Sequence, residues 1–247
     1  MVRSIEELSL NAWPALETMV YDGWLLRVAN GYTKRANSVN PIYESQIDLD
    51  KKVSECERVY ARKNLPTIFK MTPCSCPEFL DGVLEQQGYA SIGHSSVQVL
   101  ELSGVKEPST ETIRVDERIT DKWLDNFCHI AGLSETHKNT AKMMLSTLVP
   151  QSCFMSLLHE GKAIAFGLGV LERGFLGLYD IATAPDYRGR GFGEQLVLNL
   201  LQWGKANGAA QSYLQVMLDN EPALKLYAKL GFQEAYRYWY RIKETRL

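Results

Sequence analysis

The stretch 187–193 holds the residues of this sequence whose types and spacing are best suited to chemistry. Three glycines fall within five residues, and two arginines lie among them. Glycines keep the backbone N–H groups bare, and at the start of a helix such unpaired donors, with the partial positive charge of the helix, bind an anion. The pattern predicts a site for a phosphate-bearing ligand, built from Arg188, Gly189, Arg190, Gly191 and Gly193.

The elements around this stretch must place it between a strand and a helix. The apolar run 175–183 before it is typical of a strand, and the run 194–206 after it has apolar residues three to four apart, which is typical of a helix. A further helix is predicted at 222–230. The whole order in 112–247 is β-α-α-β-β-β-α-β-α-β, which predicts an α/β fold with a mixed sheet covered on both faces.

The segment 103–112 is the best domain boundary, because a glycine, a proline and several polar residues interrupt all periodicity there. We therefore expect two domains, residues 1–103 and residues 112–247.

The first domain is predicted to begin with a helix at 4–19 and a strand at 23–29. Asn30 and Gly31 both tolerate positive φ, so they predict a hairpin turn that leads into a return strand at 32–39.

The two domains end alike, which indicates an internal repeat. In both, a helix closes with a glycine and an aromatic residue before a strand, at 84–89 and at 227–232. Leu84 stands where Tyr227 stands, and the first domain has no glycine loop. We interpret it as a degenerate copy of the second.

Composition excludes several classes of partner and site. The net charge of −2 favours neither nucleic acid nor an anionic membrane, and no apolar run is long enough to span a bilayer. The first eleven residues lack a secretory pattern, so a cytoplasmic protein is expected. The five cysteines include no C-x-x-C pair and the four histidines show no ligand spacing, so we expect reduced thiols and no metal site.

Two motifs in the second domain resemble the GNAT superfamily of N-acetyltransferases, over residues 113–243. One is Arg188-x-x-Gly191-x-Gly193, between a strand and a helix. The other is Asn220-x-x-Ala223-x-x-x-Tyr227-x-x-x-Gly231-Phe232. A lone glycine loop would be weak evidence, but the two motifs agree in order and separation. The resemblance implies an acyl-CoA N-acyltransferase fold in both domains, the first one degenerate.

The resemblance also implies acetyl-CoA as cosubstrate. Its pyrophosphate would lie on the N–H groups of the glycine loop, and its pantetheine arm would pair with the strand before the loop, where the N–H of Ile181 or Ala182 would polarise the acetyl carbonyl. The cofactor-binding residues implied in this way are Ile181, Ala182, Thr183, Arg188, Gly189, Arg190, Gly191, Phe192, Gly193, Asn220 and Tyr227.

The same resemblance makes Tyr227 the general acid that protonates the leaving thiolate, since a tyrosine is still protonated at neutral pH. A core aromatic at Tyr227 and a simple helix cap at Asn220 are the structural alternatives. The motifs do not fix the base: Asp180 is the first candidate, with Glu172 or a chain of waters as alternatives. Strand alternation puts Asp180 and Ile181 on opposite faces, so only one of them is expected to face the core.

The acceptor is expected to be a small-molecule or peptide amine. The segment 23–38 resembles the N-terminal part of two-part bacterial GNAT proteins, and Arg27, Arg35 and Asn37 are predicted to line an acceptor cleft between the domains. Polar residues on a hairpin surface are the alternative. The protein is expected to be a monomer with an internal pseudo-dimer, or a homodimer. A CoA-binding module without turnover and a transferase of another acyl group remain open.

Overall fold

The computed structural model describes residues 1–109 and 112–244. The helices are α1 (Val2–Ala12), α2 (Leu49–Ala61), α3 (Leu80–Gln86), α4 (Asp121–Ala131), α5 (Glu135–Leu145), α6 (Phe192–Ala206) and α7 (Glu221–Leu230). The strands are β1 (Glu17–Tyr21), β2 (Trp24–Val28), β3 (Val39–Asn40), β4 (Thr67–Met71), β5 (Ala90–Glu101), β6 (Ile113–Asp116), β7 (Gln151–His159), β8 (Lys162–Glu172), β9 (Phe175–Thr183), β10 (Gln211–Met217) and β11 (Gln233–Lys243).

The strands of the described residues form one 11-stranded sheet, in the order β1-β2-β3-β4-β11-β5-β10-β9-β8-β7-β6. The last strand, β11, lies between β4 and β5 and is antiparallel to both. In turn, β5 lies between β11 and β10. Each half of the chain therefore places its final strand beside the other half.

The order of elements repeats along the chain. Helix α2 connects β3 to β4 as α6 connects β9 to β10, and α3 connects β4 to β5 as α7 connects β10 to β11. The predicted α/β fold with a tandem arrangement is confirmed. The division into domains 1–103 and 112–247 stays a prediction. Thr110 and Glu111 of the predicted boundary, and 245–247 of the second domain, lie outside the described residues.

Apolar cores cover both faces of the sheet. One cluster spans both halves under α1, α4 and α5, and includes Trp13, Trp123 and Tyr213. On the other face, one cluster packs under α6 and α7 and another under α2 and α3. A buried polar contact ties α1 to the junction: Glu6 Oε2 lies 2.5 Å from Lys70 Nζ, and Glu6 Oε1 accepts a hydrogen bond of 2.6 Å from the Tyr236 hydroxyl.

The predicted helix at 4–19 and return strand at 32–39 are wrong in extent. Helix α1 ends at Ala12, because Pro14 has no N–H and forces the residue before it out of the helical region.

The hairpin turn lies at Asp22 and Gly23, with φ of 45° and 81°, and joins β1 to β2. Asn30 and Gly31 do take positive φ, but they lead into a loop with a short 3₁₀ turn, Lys34–Ala36, before the two-residue β3.

Candidate active site

The parallel strands β9 and β10 separate halfway along their length. They pair from Phe175 with Gln211 to Leu178 with Leu214 and no further. Beyond that point β9 remains paired with β8, and β10 remains paired with β5. An opening therefore lies between residues 179–183 and 215–217, and in the described part of the chain no strand covers the two edges that face it.

A β-bulge lies at the point where β9 leaves β10. Tyr179 pairs with Leu168 and Ala182 pairs with Phe166, so two residues of β9 lie opposite Gly167 alone. Asp180 takes the left-handed φ of 52°, and a Cβ on Gly167 would lie 2.8 Å from Ile181 Cδ1. A side chain at position 167 would crowd the Ile181 and Leu200 side chains beside the bulge.

The bulge directs the Asp180 side chain toward the core that spans both halves. Asp180 interacts electrostatically with Arg35, Tyr32 and Cys128, whereas Ile181 packs in the cluster under α6 and α7. The two side chains do lie on opposite faces. The expectation that only one of them faces a core is wrong, because both faces of the sheet are covered.

Asp180 carries a carboxylate oxygen that nothing satisfies. Its Oδ2 is buried and has no hydrogen-bond partner among the described residues. Burial raises the pKa of Asp180 to about 7, against the opposing effect of the Arg35 charge. A carboxyl group with this pKa is partly ionised at neutral pH and can accept a proton there.

The glycine loop follows the open end of β9 and leaves the start of α6 uncapped. Gly191 occupies the cap position with a φ of 85°, and among the described residues no side-chain cap accepts a hydrogen bond from the first turn. A Cβ on Gly193 would lie 3.3 Å from Thr183 Oγ1 and 3.7 Å from Leu226 Cδ2, so this glycine lets α6 approach both β9 and α7. Bare N–H groups at a helix start are suited to binding an anion.

The two loop arginines have different surroundings. Arg188 Nε donates a hydrogen bond of 3.1 Å to the Thr183 carbonyl, which fixes it to the end of β9. The Arg190 guanidinium lies 5.2 Å from the ring centre of Tyr187 and 5.3 Å from that of Phe192. Both therefore hold positive charge close to the start of α6.

Helix α7 begins at an Asn220 cap and buries Tyr227 in the apolar cluster under α6 and α7. The Asn220 side chain accepts a hydrogen bond of 3.3 Å from the Ala223 N–H, so it does cap the helix. The Tyr227 ring packs edge-on against Phe232, at 5.8 Å between ring centres, and is 7% exposed. Burial raises the pKa of Tyr227 to about 12, which keeps the phenol protonated at any physiological pH.

The three polar residues predicted to line an acceptor cleft have separate environments. Arg27 is buried and donates to the carbonyls of Leu10, Trp13 and Arg35. Asn37 is also buried, and its amide bonds the backbone of Ala29, Gly31 and Thr33.

Of the three, only Arg35 lies near Asp180. Its guanidinium lies 5.1 Å from the ring centre of Trp13 and 5.9 Å from that of Tyr179. Sequence reasoning missed Trp13, Tyr32 and Cys128 as neighbours of this site, because no local motif marks residues brought together from three distant elements.

Two further properties belong to the described residues as a whole. They contain no helix long and apolar enough to cross a membrane. Nor do these residues bring together three or more histidine, cysteine or acidic side chains in a way that could hold a metal ion.

Solved structures share this architecture. A GCN5-related N-acetyltransferase from Kribbella flavida superposes with a TM-score of 0.75 at 11% identity, covering 100% of this chain and 96% of that one. A tandem GNAT protein from the clavulanic acid biosynthesis pathway gives 0.68 at 12% identity, covering 98% and 88%. The fold is that of the GNAT superfamily, in its tandem form.

Sequence relatives identify the particular family. The family model described as "Probable histone acetyltransferase Rv0428c C-terminal" matches residues 1–241. The uncharacterized N-acetyltransferase YobR of Bacillus subtilis (strain 168) is 31% identical over 249 residues, which cover 98% of each chain. A ribosomal protein bS18-alanine N-acetyltransferase of Escherichia coli (strain K12) is 35% identical over 79 residues, 32% of this chain and 53% of that protein. The chain belongs to the Rv0428c C-terminal family and is a GNAT-type N-acetyltransferase.

Proposed function

We propose that the protein transfers an acetyl group from acetyl-CoA to a primary amine by direct attack. The observation that carries this proposal is the meeting, at the open end of β9, of an unpaired strand edge, an uncapped helix start and the buried Asp180 carboxylate. An amine acceptor is further supported by the E. coli relative, whose name describes acetylation of an alanine of ribosomal protein bS18.

The residues of the opening fit the chemical groups of acetyl-CoA. Backbone N–H groups of 189–193 would hold the pyrophosphate. The φ of 85° at Gly191 is one that L side chains rarely adopt, so the loop conformation favours glycine there. The edge of β9 at Ile181 and Thr183 would pair with the pantetheine amides as an added strand does. Arg188 and Arg190 would balance the phosphate charge. The cosubstrate supplies the activated acetyl thioester.

Asp180 is assigned as the general base. An alkylammonium group, whose pKa in water is about 10.4, must lose a proton before its nitrogen can attack a carbonyl. Asp180 would accept that proton, and its raised pKa makes it a stronger base than an exposed aspartate. The unsatisfied Oδ2 gives this proton an acceptor atom.

Tyr227 is assigned as the general acid. Its phenol keeps its proton at neutral pH, so it can donate that proton to the departing sulfur. The N–H of Ile181 or Ala182, at the edge freed by the bulge, is assigned to the acetyl oxygen.

The experiment measures acetyl-CoA binding by calorimetry and thiol release with a panel of primary amines, with mass spectrometry of the acceptor. We expect one acetylated amine for each thiol released. In Tyr227→Phe, kcat should fall by about 100-fold or more while the acetyl-CoA Kd changes by less than about threefold.

Two results would contradict the proposal. If the protein binds acetyl-CoA but releases no CoA thiol in the presence of any amine, it is a CoA-binding module. If it releases thiol faster from a longer acyl-CoA than from acetyl-CoA, the acyl donor is another acyl-CoA. An unchanged Tyr227→Phe rate across the pH range would remove only the general-acid assignment.

A further inference from the structure

Arg35 presents a guanidinium that the protein itself does not use for hydrogen bonding. The side chain is half-buried and lies over the rings of Trp13 and Tyr179. Within the described residues the guanidinium donates no hydrogen bond, and its electrostatic neighbours are Tyr238, Tyr240, Asp180 and Tyr179. Its planar fork of N–H donors, which matches a carboxylate, is therefore available to a ligand.

Asp180 carries the opposite charge and lies near Arg35. The two side chains are close enough to interact electrostatically, since the Arg35 charge lowers the Asp180 pKa against the effect of burial. Yet they form no ion pair, and Asp180 Oδ2 has no partner in the described part of the chain. Buried polar atoms are rarely left unsatisfied unless a ligand or water completes them.

The protein holds these two charges apart by packing. Trp13 stacks on Tyr179 with 5.8 Å between ring centres, and the guanidinium rests against both rings. Arg27 Nη1 donates a hydrogen bond of 2.8 Å to the Arg35 carbonyl, and Asn37 bonds the backbone on both sides of the turn. The first half of the chain thus fixes a cation within electrostatic reach of the proposed base of the second half.

We propose that Arg35 and Asp180 form a two-point site for an acceptor that carries a carboxylate next to its amine, as a free amino acid does. This proposal rests on the acetyl-transfer function proposed above. The acceptor ammonium lies on Asp180 and gives it a proton, while the acceptor carboxylate accepts two hydrogen bonds from Arg35. A zwitterion satisfies both protein groups at once, whereas a simple amine leaves Arg35 unpaired and a simple anion leaves Asp180 unpaired.

The ring of Tyr32 closes one side of this two-point site. It lies 6.4 Å from Trp13 and 5.4 Å from His137, measured between ring centres. Burial and the neighbouring Asp180 raise the pKa of Tyr32, so its phenol is neutral and can pack against an acceptor without adding charge.

The test compares amino acids with the amines formed by removing only their carboxylate. Wild-type protein and Arg35→Gln are assayed with the twenty amino acids and with matched amines such as phenethylamine for phenylalanine and cadaverine for lysine. For the best pair, we expect kcat/KM to favour the amino acid by about 10- to 100-fold. Both proteins are assayed above the pKa of Asp180, because loss of the Arg35 charge raises that pKa and would slow every acceptor near pH 7. Under this condition Arg35→Gln should abolish the preference by raising KM for the amino acid, with the matched amine changed by less than about threefold.

Lys34→Gln is the matched control, because Lys34 is an exposed cation on the same turn, and it should behave as wild type. Equal loss for both members of a pair in Arg35→Gln would show a structural role and overturn the proposal.

Acetylation of amines or of peptide N-termini, but of no amino acid, would also overturn it while leaving the acetyl-transfer function intact. Failure to consume acetyl-CoA with any amine would instead reject the acetyl-transfer function itself.

Discussion

The helices α2 and α6 occupy equivalent places in the two halves but begin in opposite ways. At α2, the Asp48 side chain accepts a hydrogen bond of 3.2 Å from the Lys51 N–H, and Asp50 adds a second acid in the first turn. At α6, Gly191 stands at the cap position and offers no side chain. One half satisfies its helix start with its own carboxylate, and the other leaves the same donors without a side-chain acceptor among the described residues, where we propose that the cosubstrate binds.

The helices α3 and α7 differ in another respect, which is the residue that each buries against the sheet. Helix α3 is held to β11 by Arg241, whose guanidinium lies 2.8 Å from Asp81 Oδ2 and 3.1 Å from Glu85 Oε1. Its inward residue is Leu84, which is fully buried, where the other half has Tyr227. The first half therefore has a capped helix at α2 and a leucine in place of the tyrosine, and its contribution to the proposed chemistry is Arg35.

The largest expected effect tests whether Asp180, in the second half, is the general base. Asp180→Asn keeps the shape of the side chain and removes the base, so kcat/KM near pH 7 should fall by about 100- to 10,000-fold. In the wild type, the base must be deprotonated to act, so kcat/KM should rise with pH through about 7, the raised pKa of Asp180. The variant should lose this rise in a pH–rate profile.

Glu172→Gln is the control for this prediction, since Glu172 is the other acid considered as base. Its carboxylate oxygens accept hydrogen bonds of 3.1 Å from Asn11 Nδ2. Its rate and pH profile should match the wild type. A profile altered by Glu172→Gln and not by Asp180→Asn would show that Asp180 is not the base.

The next effect comes from giving α6 the kind of cap that α2 has. Gly191→Asp places a carboxylate where the pyrophosphate is proposed to bind, and two negative charges a few ångströms apart cost about 2 kcal/mol, or about 30-fold in affinity. Gly191→Asn is the matched variant, because aspartate and asparagine bear the positive φ equally well. Calorimetry with acetyl-CoA should show a much weaker Kd for Asp than for Asn. Equal acetyl-CoA Kd values for the two variants would contradict pyrophosphate binding at this helix start.

The sequence predicted the parts of this site that depend on local signals. The glycine loop, the helix after it and the Asn220 cap follow from residues close together in the chain, and the structure has them where expected. The bulge at Asp180 could not be predicted, because it depends on pairing with β8 opposite Gly167. The placement of β5 and β11, each beside a strand of the other half, likewise depends on contacts between distant segments.

Arg27 and Asn37 show a further reason why the sequence did not predict the whole site. As residue types they suit a ligand, and only the fold reveals that their hydrogen bonds go to nearby carbonyls and N–H groups. Their polar groups are used to hold an irregular loop whose backbone has few partners of its own. The residue that this loop places near the proposed base is Arg35.

The smallest expected effect comes from removing the Asp48 cap of α2 in the first half. Asp48→Ala leaves the first N–H groups of α2 without their side-chain acceptor, which should lower the free energy of unfolding by about 1 kcal/mol. Because α2 and α6 begin at separate ends of the shared sheet, the acetyl-CoA Kd and kcat should stay within about twofold of the wild type. Denaturant unfolding and calorimetry measure the two quantities on the same sample. If Asp48→Ala instead produced a second acetyl-CoA site, the Asp48 cap would account for the absence of cosubstrate binding in the first half, even though that half has no glycine loop and has Leu84 in place of Tyr227.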